Sequence, residues 1–270
     1  MLYIILILAI LFTAGLTFAL QLYTAWYHIF IIIGMFLGFY VGLVATYVIF
    51  IYVISLFIDK KKEVTKPSKF HAYIVHETMA MLLFFSRSRV HIEGKERLPK
   101  NERFLIVANH RSNFDPIICI TKFSHNNLVF VSKPENFSLP IAGAFMHRAG
   151  FMAIDRDNPK NALVTINKAA EYLKNDVTNV AIFPEGTRNR TEEPLLEFKN
   201  GAFKIATKAK VPIVVVAMKN AGMVKKNFPW KSTRIDVKIV DVIPVEEVEK
   251  GRTAELSERA RKAMLDYITQ

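Results

Sequence analysis

The stretch Phe104-Leu105-Ile106-Val107-Ala108-Asn109-His110-Arg111-Ser112-Asn113-Phe114-Asp115-Pro116 decides how this chain reads. Its first five residues are apolar and read as a buried strand. Asp115-Pro116 reads as a helix start, with Asp at the N-cap and Pro at the first helical position. The polar turn between them carries an imidazole and a carboxylate five positions apart. On one continuous helix that spacing would rotate the two side chains away from each other. A strand end, a turn and a helix start instead fold His110 back toward Asp115. The pair then reads as a base and its orienter: the carboxylate holds one ring nitrogen, and the other takes a proton. A hydrogen-bonded loop histidine beside a capping aspartate is the plainer alternative.

A second polar cluster, Phe183-Pro184-Glu185-Gly186-Thr187-Arg188, also follows an apolar strand, residues 180–183. Further apolar or β-branched runs occur at 104–108, 128–131, 151–154, 211–217 and 235–242. Helical patterns lie between them, notably over 159–173, where Asn158 is a natural N-cap and Pro159 the first helical residue; Thr253 caps a last helix that runs nearly to Gln270. The alternation predicts an α/β domain over 90–270, with a mostly parallel sheet flanked by helices. Ligands of open α/β sheets bind at the downstream ends of strands, where both clusters fall.

At these residues the chain resembles the glycerophospholipid acyltransferases, most closely the 1-acylglycerol-3-phosphate (lysophosphatidate) acyltransferases. The first family motif, His, four residues, Asp, matches from Asn109 to Asp115. The second resembles Gly150-Phe151-Met152-Ala153-Ile154-Asp155-Arg156, with Met152 and Ala153 in place of the usual Ile-Phe. The third matches residue for residue from Phe183 to Arg188. The fourth resembles Val211-Pro212-Ile213-Val214-Val215-Val216, without the frequent second proline at Val215. The resemblance implies transfer of an acyl group from a thioester, on coenzyme A or acyl carrier protein, to the 2-hydroxyl of lysophosphatidate, giving phosphatidate.

An alcohol needs a base as it attacks, and His110 suits that role, with Asp115 fixing its tautomer. The acceptor hydroxyl is itself the nucleophile, and no G-x-S-x-G elbow is present. Arg188 is the first candidate for the acceptor's phosphate, since guanidinium makes paired, charge-assisted bonds to phosphate oxygens. Arg156 and Lys133 are further candidates. Glu185 and Gly186 complete the expected substrate-binding set: Glu185 orients Arg188 or the loop, and Gly186 lets the backbone approach closely. The resemblance further implies that backbone N–H groups of this loop meet the developing oxyanion. No metal ligand set stands out, and no cofactor is expected beyond the acyl donor.

Residues 1–58 contain no Asp, Glu, Lys or Arg. A span needs about 20 apolar residues, so two membrane helices are expected, over 1–20 and 30–58, with Tyr23, Trp26 and Tyr27 as an interfacial belt between them. A cleaved signal peptide fits less well, because the basic n-region is missing and a second apolar segment comes directly after. Hydropathy does not separate a true crossing from a hairpin held in one leaflet. Asp59-Lys60-Lys61-Lys62, Lys66 and Lys69 place the rest of the chain on the cytoplasmic face. Residues 59–89 read as a basic linker and a helix near 70–85, either amphipathic on the membrane or part of the core.

The net charge of +12 falls wholly after residue 58. With no Cys/His finger and no basic-aromatic ribonucleoprotein motif, an anionic leaflet is the expected partner rather than nucleic acid. The lone Cys119 allows no intrachain disulfide and reads as a buried small apolar residue rather than a nucleophile. His76-Glu77 resembles the start of a zinc-protease helix, but Ala80 stands where the second ligand belongs. Within the enzyme class the alternatives acylate glycerol-3-phosphate, another lysophospholipid, or a lipid A precursor, whose enzymes usually carry Glu at the position of Asp115. From another class, a non-catalytic module that binds anionic lipid would leave the His110–Asp115 pair unexplained.

Overall fold

Three short strands, buried on both faces, form the middle of the sheet: β2 (Leu105–Ala108), β5 (Asn179–Ile182) and β6 (Ile213–Lys219). Their apolar runs lack alternation because helices cover both sides of a parallel sheet. The remaining strands are β1 (Ser88–Glu93), β3 (Leu128–Ser132), the two-residue β4 (Met152–Ala153) and β7 (Thr233–Ile243). The computed structural model describes residues 1–123 and 128–270. Across these the strand order is β1-β7-β6-β2-β5-β3-β4. Every neighbouring pair among the described residues is parallel except β6 with β7. The expected mostly parallel α/β sheet is therefore present.

The helices of this domain are α3 (Lys69–Phe85), α4 (Phe114–Phe123), α5 (Pro140–Arg148), α6 (Pro159–Lys174), α7 (Lys204–Ala209), α8 (Val224–Asn227), α9 (Val245–Lys250) and α10 (Thr253–Ile268). α3 packs on α4 and α5, whereas α6 packs on α7, and α10 lies along β6 and β7. Asn158 caps α6 as its sequence suggests, accepting from the N–H groups of Lys160 and Asn161. The last helix departs from expectation. Thr253 is its first residue rather than its cap, and the Glu255 carboxylate reaches back to the Arg252 N–H at 3.0 Å.

The chain divides into two compact units, Met1–Asp59 and Lys60–Gln270. In the first, α1 (Leu2–Ala19) and α2 (His28–Leu56) pack on each other, burying Ile5, Ala9, Tyr47 and Ile51. Most other large apolar side chains of this unit are exposed. Among the described residues α2 alone is long and apolar enough to cross a bilayer, with a mean hydropathy of 2.4; α1 is shorter.

Of the two readings of the helix in residues 59–89, the core one holds, and the segment before it from Lys60 is tied to the domain as well. The Tyr172 hydroxyl donates to the Val64 carbonyl, the Ser68 N–H donates to the Arg148 carbonyl, and Lys168 pairs with Glu63 at 3.1 Å. Gly150, at φ +87°, lies so close to Pro67 that a Cβ there would sit 2.6 Å from the ring. The helix expected near 70–85 is α3, which buries Ile74, Val75, Met81 and Leu83 within the domain. The segment is continuous with the α/β unit because α3 packs its apolar residues against α4 and α5.

Replacing Asn158 by Ala should lower the stability of the second unit by about 1 kcal/mol, because two N–H groups of α6 lose their acceptor. Thermal unfolding would register this as a drop of about 2–4 °C for a domain of this size. Asn158→Gly, which opens the end to water, should cost only a few tenths of that; equal losses for both variants would discount the cap.

Candidate active site

β2 ends at Ala108, and the next two residues are fixed from opposite sides. The Asn109 side chain is buried and pairs with β6 twice: its amide donates to the Met218 carbonyl at 3.0 Å, and its oxygen accepts the Met218 N–H at 2.7 Å. His110 then turns out of the sheet. Its N–H donates to Glu185 Oε1 at 2.6 Å, and its carbonyl accepts the Asn189 N–H at 2.7 Å. The imidazole lies flat on Phe183, with centroids 4.1 Å apart and planes 9° from parallel.

His110 Nδ1 meets Asp115 Oδ2 at 2.9 Å. The same oxygen accepts the N–H groups of Arg111 and Ser112, both at 2.7 Å, and Asp115 is only 1% exposed. A carboxylate that gathers amide hydrogens offers the ring an acceptor, so of the two neutral tautomers the geometry favours the one with the proton on Nδ1 and the lone pair on Nε2. Asp115 therefore does not cap its helix. α4 begins at Phe114, whose N–H is taken by Ser112 Oγ, and the carboxylate points back into the turn.

Glu185 is 3% exposed and shares its two oxygens between loops: Oε1 with His110 N–H, Oε2 with Leu196 N–H at 3.1 Å. Burial raises its pKa above the ordinary glutamate value; the two amide bonds and His110 oppose this, and the nearby Asp115 adds to it. The carboxylate thus holds the loop, which is one of its two expected roles. Its hydrogen bonds go to backbone amides rather than to Arg188, and it is absent from the lining of the cavity beside His110. Gly186 is absent from that lining too. It has φ +73°, and a Cβ there would meet only Lys199 Cγ at an ordinary 3.6 Å. The glycine is required by the left-handed backbone rather than by a close approach.

The cavity, of about 710 Å³, opens at this end of the sheet. His110, Phe130 and Phe183 form part of its wall, and α3, α4 and α5 contribute an apolar side with Val75, Met79, Leu82, Ile117, Ile120 and Met146. Lys133, Arg156 and Arg188 all line it, so three cations separated in sequence share one space with the imidazole. Arg190 joins them. Sequence reasoning passed over this residue, although it lies two positions after Arg188 in the same loop. It also missed the apolar wall from α3.

Arg111 faces the other way. Its guanidinium ties down the carbonyls of Thr191, Glu193 and Pro194. Cys119 is fully buried, and both burial and the Asp115 charge push its thiol pKa upward, as suits a core residue. Among the described residues no group of three or more His, Cys, Asp or Glu is placed to hold a metal ion.

Residues 89–219, from β1 to the end of β6, match the family model described as Acyltransferase. The 1-acyl-sn-glycerol-3-phosphate acyltransferase of Haemophilus influenzae is 30% identical over 183 residues, covering 66% of this chain and 75% of that one. The chain belongs to this acyltransferase family. A protein of the same name from Saccharomyces cerevisiae is 32% identical over 184 residues, 67% of this chain, and the chain spans about 60% of that relative's length. The crystal structure of the lysophosphatidate acyltransferase PlsC from Thermotoga maritima shares the fold, with a TM-score of 0.63 and 22% identity over 83% of this chain and 88% of that one.

The raised pKa of Glu185 has a consequence for stability. Between the ordinary glutamate value and the raised one, the folded protein keeps a proton that the unfolded chain has released. Stability contributed by this group is therefore present at low pH and lost as pH rises through that window. Glu185→Gln keeps one acceptor oxygen and removes the titration. Urea unfolding in detergent, from about pH 4 upward, should show the variant gaining on the parent as pH rises. Parallel curves would rule the carboxylate out as the source.

Proposed function

We propose that this acyltransferase transfers a fatty acyl group from a thioester to the 2-hydroxyl of 1-acylglycerol-3-phosphate, forming phosphatidate. The observation that carries the reading is the His110–Asp115 pair on the wall of a cavity that is apolar on one side and cationic on the other. That division matches an amphiphile whose chain leaves water while its phosphate stays paired. The names of the relatives favour lysophosphatidate over glycerol-3-phosphate as acceptor. The donor is coenzyme A or acyl carrier protein; both are anionic and suit the same basic rim.

In this mechanism Nε2 of His110 accepts the proton of the 2-hydroxyl as its oxygen attacks the thioester carbon. Asp115 keeps Nδ1–H fixed and stabilises the imidazolium that forms. The same imidazolium then gives its proton to the departing thiolate as the tetrahedral intermediate collapses. Arg188 holds the acceptor's phosphate, with Arg156, Lys133 and Arg190 around it. Glu185 and Gly186 set the loop rather than contact substrate. The uncharged residues 1–58 anchor the enzyme through two helices, with the catalytic unit on the cytoplasmic face, where bilayer-resident acceptor and soluble donor meet.

His110→Ala should lower acyl transfer by about 10²–10⁴-fold with unchanged melting behaviour. Activity within tenfold of the parent would remove the imidazole from the mechanism. Asp115→Asn should be similarly severe, because an amide supports the wrong tautomer.

Arg188→Ala should cost about 1.5–3 kcal/mol, or about ten- to a hundredfold, in efficiency toward lysophosphatidate. Toward an uncharged monoacylglycerol the loss should be small. An equal fractional loss on both acceptors would sink the phosphate assignment.

A further inference from the structure

Between β6 and β7 the chain makes a turn at Ala221–Met223, then α8, and reaches β7 through Phe228-Pro229-Trp230-Lys231-Ser232. Val224 is buried and fixes this loop to the domain, but its tip is apolar and bare. Trp230 is 85% exposed and Phe228 52%. The tip is held in shape. Asn227 Nδ2 donates to Thr233 Oγ1 at 3.0 Å, and the Lys231 N–H donates to the Asn227 carbonyl at 2.8 Å. Arg87, just past the end of α3, donates from its guanidinium to the Pro229 carbonyl and accepts the Thr233 N–H at its own carbonyl. It therefore braces the tip against the segment where Phe84 and Phe85 are also exposed.

The two segments that carry these four aromatic rings are basic, with Glu77, Glu93 and Asp236 just beyond their ends. Arg87, Arg89, Lys225, Lys226 and Lys231 belong to the two segments, and neither carries an Asp or Glu, over residues 78–92 or 221–235. Scattered exposed apolar residues are ordinary, but a braced aromatic tip carried on a loop with three lysines is not. Indole and phenyl rings partition into the headgroup region of a bilayer, and lysines beside them reach anionic lipid while their stems stay on apolar surface. β6 runs parallel to β2, so this loop leaves the sheet at the same end as His110.

We infer that the loop 221–232, together with the end of α3, is a membrane-contact surface of the catalytic unit that inserts Trp230 and Phe228 among anionic lipids. This goes beyond the anchor in residues 1–58 and does not depend on which acceptor the enzyme uses.

The chain has two tryptophans, Trp26 and Trp230, so the full-length Trp26→Phe variant reports on the tip alone. It would be reconstituted into vesicles of phosphatidylcholine, alone or mixed equally with phosphatidylglycerol, carrying brominated acyl chains. Trp230 emission should shift to the blue and be quenched in the mixed vesicles. The triple variant Lys225→Glu, Lys226→Glu, Lys231→Glu should reduce the quenching to the phosphatidylcholine level, as should high salt. The reciprocal Trp230→Phe variant gives the signal of Trp26 in the anchor. Protein that floats with the vesicles, with Trp26 quenched and Trp230 still water-exposed, would overturn the surface and leave the anchor standing. A blue shift that grows with protein concentration and escapes bromine quenching would assign the tip to a protein contact and overturn it as well.

Discussion

The site depends on a carboxylate removed from water. Glu185 could sit in solvent without penalty; instead it is enclosed and accepts one amide hydrogen from each of two loops. Its raised pKa says that the burial is only partly offset by those bonds. What the arrangement provides is position. The His110 backbone is held through its N–H by Glu185 and through its carbonyl by Asn189, while the ring rests on Phe183. With the backbone fixed at both polar atoms, Asp115 has only the ring's rotation left to set.

Shared use of one element for two purposes appears on the cavity's other sides as well. Helices α4 and α5 each pack on α3 through some apolar residues, and the three leave others facing the empty space. The cations arrive from separate places: Lys133 after β3, Arg156 after β4, Arg188 and Arg190 after β5. All three strands are parallel, so their downstream loops gather at one end. Convergence of charge is thus a result of sheet direction. An antiparallel β3 would have sent Lys133 to the far side.

Much of this was legible in the residues. Strand ends followed by polar turns are short-range signals, and they located His110, Asp115 and the Phe183–Arg188 loop. A parallel, doubly covered sheet writes itself as unbroken apolar runs, which found β2, β5 and β6. Other features were not legible because they depend on distant partners. β1 was missed because Arg89, His91 and Glu93 alternate with its inward residues, as an edge strand requires. Between the two expected roles of Glu185, orienting Arg188 or the loop, the sequence does not choose, because its partners are backbone amides 75 and 11 residues away. Residues 60–68 looked like a linker because their contacts with α5 and α6 have no local pattern. The apolar face of α3 was ambiguous for the same reason: hydropathy does not distinguish a membrane from a neighbouring helix.

The reactive pair and its frame are encoded on different scales. His110 and Asp115 are five residues apart, so a heptapeptide contains the chemistry. The contacts that aim it span 75 residues to Glu185 and 109 to Met218. Grafting Asn109–Asp115 onto the end of a strand in another protein would transplant an imidazole held by a carboxylate and nothing that tells it where to point. The portable unit is larger: three adjacent parallel strands, β6, β2 and β5, with the Glu185 side chain reaching in from beyond β5 and the Asn109 side chain reaching out to the β6 backbone. That triplet, rather than the motif, is the smallest piece of this fold that a designer would have to move.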